Sequence, residues 1–360
     1  MKLLFDIPDS ADVVDTDPRT REGLERMVET ACHTFDRLSE PDYLALTETE
    51  RTDYNAKRQS FITGQMLLNT PHMMEAKVRL LDCFAQNSSR RSGQVGLMLD
   101  GDSTLGKTTI LEALIEYVYN RYAAQVPDHK ALGYVPIVFV EVPAGSRGKS
   151  LMEAFADFLG LPVAPRETMN SIRKRVAQAM RQANTKLVVV DELHKLAGSS
   201  VNNGESVDIL KELHNEVHAT FLYAGLNLTS GELLSGSRGQ QLSARFSFLG
   251  MSRYSLDHPE DKVAWKALVT AYVLQLPLRH QDLNTLISHS DYLLARTGGS
   301  IGSLGRLLGG AAIALILDPV TVEENITRAH LVKRTLDLTA ETFFDTIRKT
   351  KAGAKFNDEN

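Results

Sequence analysis

The chain has 360 residues, of which 43% are hydrophobic and 24% are charged, a composition typical of a globular protein that buries a core. Its 40 basic and 45 acidic residues give a net charge of −5, so any nucleic-acid binding must come from a local basic patch, because the overall field repels phosphate. The two cysteines, Cys32 and Cys83, lie far apart and form no CxxC pair, which argues against a disulfide framework or a zinc site.

The N-terminal region is predicted to precede the main domain as an extension. Residues 1–18 are acidic, contain two prolines and lack the pattern of a signal peptide, so we expect a flexible arm. Residues 19–38 keep a helical spacing, and residues 39–60 are polar enough to predict a linker or a poorly packed helix. A further helix is predicted over residues 71–84. Its inward face is expected to carry Met74, Val78, Leu80 and Leu81.

Short apolar runs then alternate with helical segments, which predicts a parallel sheet covered by helices on both faces. Four strands are predicted, at residues 95–99, 134–143, 186–193 and 219–227. The helices between and beside them are predicted at residues 107–122, 151–160, 168–183 and 206–217.

From about residue 259 no strand pattern recurs, and a smaller all-helical domain is predicted. Its helices are expected at residues 259–276, 280–296, 302–316 and 328–349. The longest apolar stretch, AAIALIL at residues 311–317, is too short to span a bilayer. We therefore expect a cytoplasmic protein without membrane contact.

The stretch that follows the first predicted strand matches G-x-x-x-x-G-K-[ST] and leads into a helix, which is the context this motif requires. Backbone N–H groups that surround a triphosphate need a tightly curled loop, and this favours glycine at two of its positions. We predict an ATP site in which Lys107 contacts the β- and γ-phosphates and Thr108 ligates Mg²⁺. The predicted nucleotide contacts are Gly101, Asp102, Ser103, Thr104, Leu105, Gly106, Lys107, Thr108 and Thr109.

Two further strand ends carry candidates for hydrolysis. KLVVVDEL ends in Asp191 and Glu192, and a strand adjacent to the phosphate loop would bring Asp191 to the metal and Glu192 to the attacking water. The alternative is an acidic pair that caps a helix. Asn227, at the end of the fourth strand, is predicted to orient the water or sense the γ-phosphate, or else to close the strand as a turn residue.

Three arginines are candidates for contacts to the phosphates. The segment SGSRGQQLSARF carries Arg238 and Arg245, and one of them, with Arg245 preferred, is expected to act as an arginine finger on the nucleotide of a neighbouring subunit. Arg306, on a helix that glycines open, is a candidate lid arginine. Each could instead be an ordinary surface arginine.

The order of these features resembles the AAA+ ATPases and, more narrowly, the TniB/TnsC group of transposition regulators. The resemblance covers residues 68–316 and is carried by LNTPHMMEAKVRLLDCF, VFVEVPAGSRGKSLMEAFADFLGLP, VVVDELHKL, FLYAGLNL, QQLSARF and TGGSIGSLGRLL. It departs from the family at Leu105, where a small polar residue or asparagine is common, and in its N-terminal extension.

The resemblance implies an α/β fold, with a central parallel sheet flanked by helices, a helical lid after it and an N-terminal helical extension before it. The implied boundaries are 1–65 for the extension, which is partner-binding or flexible, 66–258 for the nucleotide-binding domain, 259–335 for the lid, and 336–360 for the C-terminal helix and tail.

The resemblance also implies a function. Such a protein binds ATP and Mg²⁺, oligomerises on duplex DNA as rings or helical filaments, and recruits or activates a transposase at a target, together with target-selector proteins. ATP hydrolysis then disassembles the oligomer. The basic loop GSRGKS supplies Arg147 and Lys149 as expected DNA contacts, and Thr168 adds a backbone contact with Arg173 and Lys174 nearby. A solvated loop and a charged helix face are the alternative.

Competing functions remain open at this point. A small-molecule kinase would need a cluster of lid arginines, and none is evident. Another AAA+ ATPase, of the initiator, loader or secretion type, is the nearer alternative. A scaffold that binds ATP with negligible turnover is the alternative outside enzymes.

Overall fold

The computed structural model describes residues 16–196, 203–229, 236–318, 321, 323–350 and 356. The described residues fall into two units. One takes those within Met1–Ala31, His72–Gly101 and Lys107–Gly250, and the other takes those within Cys32–Pro71, Asp102–Gly106 and Met251–Asn360.

A five-stranded sheet forms the centre of the first unit. Its strands are β1 (Gly96–Gly101), β2 (Ile137–Glu141), β3 (Leu187–Asp191), β4 (Thr220–Gly225) and β5 (Phe246–Met251), in the spatial order β2-β3-β4-β1-β5. The pairs β2–β3, β3–β4 and β4–β1 are parallel. The predicted α/β fold with a central parallel sheet is confirmed.

The sequence did not predict the edge strand β5. Only three of its six positions are buried, so its residues form no continuous apolar run, and Gly250 interrupts its alternation. The four predicted strands are buried almost throughout and therefore read as continuous apolar runs.

Some of the helices belong to the first unit with this sheet, and the others make up the second unit. In chain order they are α1 (Arg21–Thr30), α2 (Glu40–Ala45), α3 (Glu48–Ser60), α4 (Pro71–Asn87), α5 (Lys107–Gln125), α6 (Gly148–Phe158), α7 (Met169–Gln182), α8 (Asn203–Glu216), α9 (Gly236–Ser243), α10 (Pro259–Gln275), α11 (Leu283–Ser288), α12 (Ser290–Thr297), α13 (Ile301–Leu317), α14 (Arg328–Val332) and α15 (Leu338–Arg348).

The predicted inward face of α4 is wrong at Met74 and Val78. Met74 and Val78 are 54% and 67% exposed, whereas Leu80 is buried as expected. The buried face consists of Met73, Ala76, Leu80 and Cys83. Two apolar stripes of helical spacing lie side by side in this segment, and packing in the first unit buries only one of them.

Residues 39–60, for which we predicted a linker or a poorly packed helix, form two capped helices. Thr47 and Glu50 make a reciprocal capping box at the start of α3. Arg58, near the end of α3, is completely buried in the second unit, where it pairs with Glu324. The polar composition of residues 39–60 does not indicate that they pack into a core, because Arg58, the residue that anchors α3, is itself charged.

The second unit is helical in the part of it that the structure describes. Its core combines α10 to α15 with residues of the N-terminal half, such as Ile62 and Leu68. Two long predicted helices are each divided in two, 280–296 at His289 and 328–349 between Lys333 and Asp337, where Asp337 caps α15. Among the described residues, no helix alone has the length and apolarity to cross a membrane; α12 and α13 reach them only as a pair, at a bend of 114°.

Candidate nucleotide-binding and hydrolytic site

The predicted phosphate loop connects the last residue of β1 with the first residue of α5. Lys107 is only 7% exposed, and its Nζ donates a hydrogen bond of 2.6 Å to the carbonyl oxygen of Gly101, six residues earlier. The lysine therefore folds back towards the beginning of the loop. Its ammonium group is held beside the backbone that the motif assigns to phosphate binding.

The turn of the loop, residues 102–106, belongs to the second unit, where it packs against the start of α13. Thr104 has a left-handed backbone, with φ of 67°. Its carbonyl oxygen accepts hydrogen bonds from Ser300 Oγ at 2.9 Å and from the Gly302 N–H at 2.8 Å. A Cβ on Gly302 would lie 2.7 Å from that oxygen, so this close approach requires glycine. Leu105, the departure from the family pattern, is buried.

Asp191 lies at the carboxyl end of β3, and Thr108 lies in the first turn of α5. The two side chains meet, with Thr108 Oγ1 3.4 Å from Asp191 Oδ2. In the sheet β4 separates β3 from β1, yet the carboxyl end of β3 reaches the first turn of α5, directly after the phosphate loop. Burial raises the pKa of Asp191 above its usual value, and the hydrogen bond from the Glu192 N–H acts in the opposite direction.

Thr108 and Asp191 fit a magnesium ion that arrives with a nucleotide. Their hydroxyl and carboxylate oxygens are the ligand types that Mg²⁺ prefers, and phosphates and water complete its shell in such sites. In the described part of the chain, no group of three or more His, Cys, Asp or Glu side chains could hold a metal ion by itself. The hydroxyl of Thr108 and the carboxylate of Asp191 are a donor set that suits Mg²⁺ bound together with phosphate.

Glu192 follows Asp191 with a left-handed backbone, φ 57°. Its Oε2 lies 3.5 Å from both Lys195 Nζ and His194 Nε2, and about 30% of its side chain is exposed. Lys195 is held in turn by Glu141 at the end of β2, at 2.8 Å. The hydrogen bond to Glu141 raises the pKa of Lys195. The acidic side chain that we predicted to contact water therefore lies between two basic neighbours, Lys195 and His194, which the sequence analysis did not single out.

Asn227 lies just beyond β4, at the same carboxyl edge of the sheet. It is exposed and left-handed, with φ of 51°. The preceding N–H, of Leu226, donates to Nδ1 of His194 at 3.3 Å. The structure thus places Asn227 at the same edge as Asp191 and Glu192. Asp100, which the sequence analysis also missed, accepts hydrogen bonds from the loop on the other side of Asn227.

Arg245 lies at the other end of the strands, beside the first residue of β1. Its carbonyl oxygen accepts the N–H of Gly96, the first residue of β1, and its guanidinium donates to Asn215. The six residues of β1 separate this position from Gly101, a span of roughly 17 Å. Arg245 is therefore not brought to Lys107 of its own chain.

The other two arginines are described less fully or lie elsewhere. Arg238 falls in α9, and its side chain lies outside the described residues. Arg306 is exposed on α13 in the second unit, four residues after Gly302.

The three predicted DNA contacts lie at two adjacent helix starts. Gly148, the first residue of α6, packs so closely on Met169, the first residue of α7, that a Cβ on Gly148 would lie 2.7 Å from Met169 Sδ. Arg147 precedes Gly148 and is exposed, and Thr168 precedes Met169 and caps α7 through the Ser171 N–H. Lys149 lies within the first turn of α6 and pairs with Glu153 at 3.7 Å.

Arg173, which we expected near this DNA surface, is not available to it. Its side chain is buried and pairs with Glu212 and Glu216 of α8. Lys174, its neighbour, is exposed.

Comparisons with known proteins agree with this architecture. The family model described as "Bacterial TniB protein" matches residues 58–256. No curated protein matches the chain.

Solved structures of archaeal proteins are similar in fold. The Aeropyrum pernix ORC1 protein in complex with DNA has a TM-score of 0.53 at 18% identity, covering 82% of this chain and 73% of that one. The Aeropyrum pernix ORC2 protein with ADPNP and ADP has a TM-score of 0.56 at 14% identity, covering 84% and 72%. At such identities the similarity shows the fold alone, which is that of AAA+ ATPases.

Proposed function

Because the chain belongs to the bacterial TniB family and has the AAA+ fold, we propose that it is a Mg²⁺-dependent ATPase that oligomerises on duplex DNA and regulates transposition. The observation that carries the proposal is the meeting of Thr108 with Asp191, beside Glu192 and next to the loop that Lys107 closes. A hydroxyl, a buried carboxylate, a lysine and an acidic side chain at one sheet edge are the groups that ATP hydrolysis needs.

In this proposal the chain's own residues bind the phosphates and move one proton. Lys107 leaves the Gly101 carbonyl for the β- and γ-phosphates, and the N-terminus of α5 adds partial positive charge. Thr108 and Asp191 would hold Mg²⁺, which neutralises phosphate charge when bound. Glu192 accepts a proton from water as the water oxygen bonds to the γ-phosphorus. The bond to the bridging oxygen breaks, and ADP and phosphate result.

Arg245 is proposed to complete the site of a neighbouring copy. Arg245 lies at the start of β1, whereas the phosphate loop of its own chain follows the end of β1. It can therefore act as an arginine finger only on the nucleotide of another subunit. This geometry supports oligomerisation with nucleotide at subunit interfaces, as rings or filaments.

Duplex DNA is the proposed polymer that these oligomers coat. Support comes from Arg147 and Lys149 at the adjoining starts of α6 and α7, where two helix N-termini add partial positive charge. The Aeropyrum pernix ORC1 structure, of the same fold, contains DNA. We propose that the ATP-bound oligomer recruits or activates a transposase, together with a target-selector protein, and that hydrolysis releases it.

A Glu192→Gln variant tests this function directly. We expect kcat for ATP hydrolysis to fall by roughly a hundredfold or more, because the water loses its base. DNA-bound oligomers formed with ATP should persist, in electron micrographs and in DNA-retention assays. Lys107→Ala should instead lose nucleotide binding.

The competing functions predict other results. An ATP-binding scaffold with negligible turnover would show no DNA-stimulated hydrolysis in the parent protein. An initiator- or loader-type ATPase would hydrolyse ATP but would not stimulate strand transfer by a transposase. Rapid dissociation of Glu192→Gln from DNA, or normal ATP retention by Lys107→Ala, would contradict the proposal.

A further inference from the structure

Asp100 is a buried carboxylate that immediately precedes the phosphate loop. It lies in β1, is 8% exposed, and pairs in register with Gly225 of β4. Its Oδ1 accepts the Leu228 N–H at 2.9 Å. Its Oδ2 accepts the Thr229 N–H at 3.0 Å and the Thr229 hydroxyl at 2.6 Å. One carboxylate thus receives three hydrogen bonds from two consecutive residues of the loop after β4.

These hydrogen bonds fix the backbone on one side of Asn227. On its other side, the Leu226 N–H donates to His194 Nδ1, and the second ring nitrogen of His194 lies 3.5 Å from Glu192. Asn227 is therefore held between two anchors. One comes from the strand that leads into the phosphate loop, and the other comes from the residues that follow β3.

Asn227 has a left-handed backbone, which asparagine adopts more readily than most residues, but its side chain is not buried. Burial of the side chain therefore does not stabilise this conformation. Such conformations persist where the surroundings impose them, and they cluster at functional sites. The anchors on either side supply the constraint that the left-handed residue needs.

We propose that Asp100 is a positioning residue for ATP hydrolysis, which holds Asn227 at the carboxyl edge of the sheet beside Glu192. The inference rests on the proposed ATPase function and adds a residue to it. The hydrogen bonds of Asp100 go to Leu228 and Thr229. Asp100 acts through the loop, by tying the orientation of Asn227 to the strand that carries the phosphate loop.

An isosteric substitution separates this role from nucleotide binding. Asp100→Asn keeps the shape and one acceptor oxygen but removes the acceptor of the Thr229 N–H. We expect kcat for ATP hydrolysis to fall roughly ten- to a hundredfold, because a small displacement of a catalytic group is costly. The Kd for a fluorescent ATP analogue should change by less than about twofold. Substitution of a residue that only supports the fold would not lower kcat while leaving the Kd for nucleotide unchanged.

A double-mutant cycle with Asn227→Gly tests the route through Asn227. Glycine tolerates the left-handed backbone and removes only the side chain. If Asp100 acts through that side chain, Asp100→Asn adds little to the loss already caused by Asn227→Gly. If the loss of kcat in the double variant equals the product of the losses in the two single variants, the proposal is overturned. Parent-like kcat in Asp100→Asn when Asn227→Gly is impaired would also overturn it.

The controls separate this proposal from the proposed function. Asp128→Asn, at an exposed aspartate of the same unit, should keep parent kinetics. If Asp100→Asn does not fold, Thr229→Val and Thr229→Ser probe the same contact from its other side. Thr229→Val should lower kcat with unchanged Kd, and Thr229→Ser should keep the kcat of the parent. Equal kcat values in the two variants would overturn the inference. Normal hydrolysis by Glu192→Gln would instead show that the proposed site itself is wrong.

Discussion

Among the described residues, four non-glycine residues have a left-handed backbone: Thr104, Asn184, Glu192 and Asn227. Three of them are residues that we assigned to the nucleotide site from the sequence. The carbonyl oxygen of Thr104 accepts hydrogen bonds from Ser300 and Gly302. On either side of Asn227, the N–H groups of Leu226 and Leu228 are hydrogen-bonded. These hydrogen bonds constrain the two backbones. Left-handed non-glycine residues cluster at functional sites, so these three conformations agree with the predicted site, whereas Asn184 is not among the residues assigned to it.

His214 in α8 offers a test of stability at the scale of one residue. It is fully buried between the rings of Phe221 and Phe246, and neither ring nitrogen has a hydrogen-bond partner among the residues that the structure describes. Burial, and then the charge of Arg245, lowers the pKa of His214 from 6.5 to about 4. The unfolded chain therefore binds more protons between these two values, so stability is complete above pH 6.5 and declines as the pH falls towards 4.

We expect the loss attributable to His214 to approach about 3 kcal/mol at the acid end of this range. His214→Leu removes the titrating ring and should flatten the dependence of the unfolding free energy on pH between 7 and 5, measured by urea denaturation. His258→Gln, at an exposed histidine, serves as the control. An unchanged pH dependence in His214→Leu would contradict the assignment.

At the scale of elements, the starts of α6 and α7 form one surface. The contact between Gly148 and Met169 brings together a basic loop and a threonine cap that are 20 residues apart in the sequence. The same packing removes Arg173 from that surface, because α8 supplies the two glutamates that neutralise it. The charge of a helix face therefore depends on which helix packs against it.

The double substitution Arg147→Ala/Lys149→Ala tests this surface. Loss of two phosphate contacts should weaken ATP-dependent binding to duplex DNA and lower the slope of log K against log[salt] by up to about two. Nucleotide affinity should stay as in the parent. Arg121→Ala/Lys186→Ala removes the same charge at exposed positions elsewhere in the first unit and should leave the slope unchanged. Equal slopes in the parent and the first variant would remove these residues from the DNA contact.

At the scale of the whole molecule, part of the N-terminal extension is a component of the second unit. Arg58 of α3 donates to the Pro277 carbonyl at 2.7 Å and to Glu324 at 3.1 Å, and Arg279 donates to the same glutamate at 2.8 Å. Arg279 also stacks on the ring of Tyr43, 4.0 Å from its centroid. A charged network therefore joins segments that are more than 200 residues apart.

Removal of Arg58 should destabilise the second unit. Arg58→Met leaves the buried carboxylate of Glu324 with a single arginine, and breaking a buried pair in this way costs about 3 kcal/mol or more. A lower Tm in thermal unfolding would measure the loss. Lys57→Met, at the exposed neighbouring position, should keep the parent Tm. Equal Tm values for Arg58→Met and the parent would show that the network does not hold α3 in place.

The sequence by itself determined the elements that local chemistry specifies. Buried parallel strands need continuous apolar runs, and a phosphate-binding loop needs its glycines and lysine at fixed spacing, so the four central strands and the loop closed by Lys107 were predictable. Motif order was specific enough to indicate the family and fold.

Only the tertiary structure decided which residues share a surface. The insertion of β4 between β3 and β1, the half-buried edge strand β5, the inward face of α4 and the pairing of Arg173 all follow from packing between distant segments. Asp100 is the sharpest case, since no local pattern marks a carboxylate whose three hydrogen-bond donors lie about 130 residues later. Such contacts form only when the chain folds, because folding brings distant segments together and so decides which side chains become neighbours.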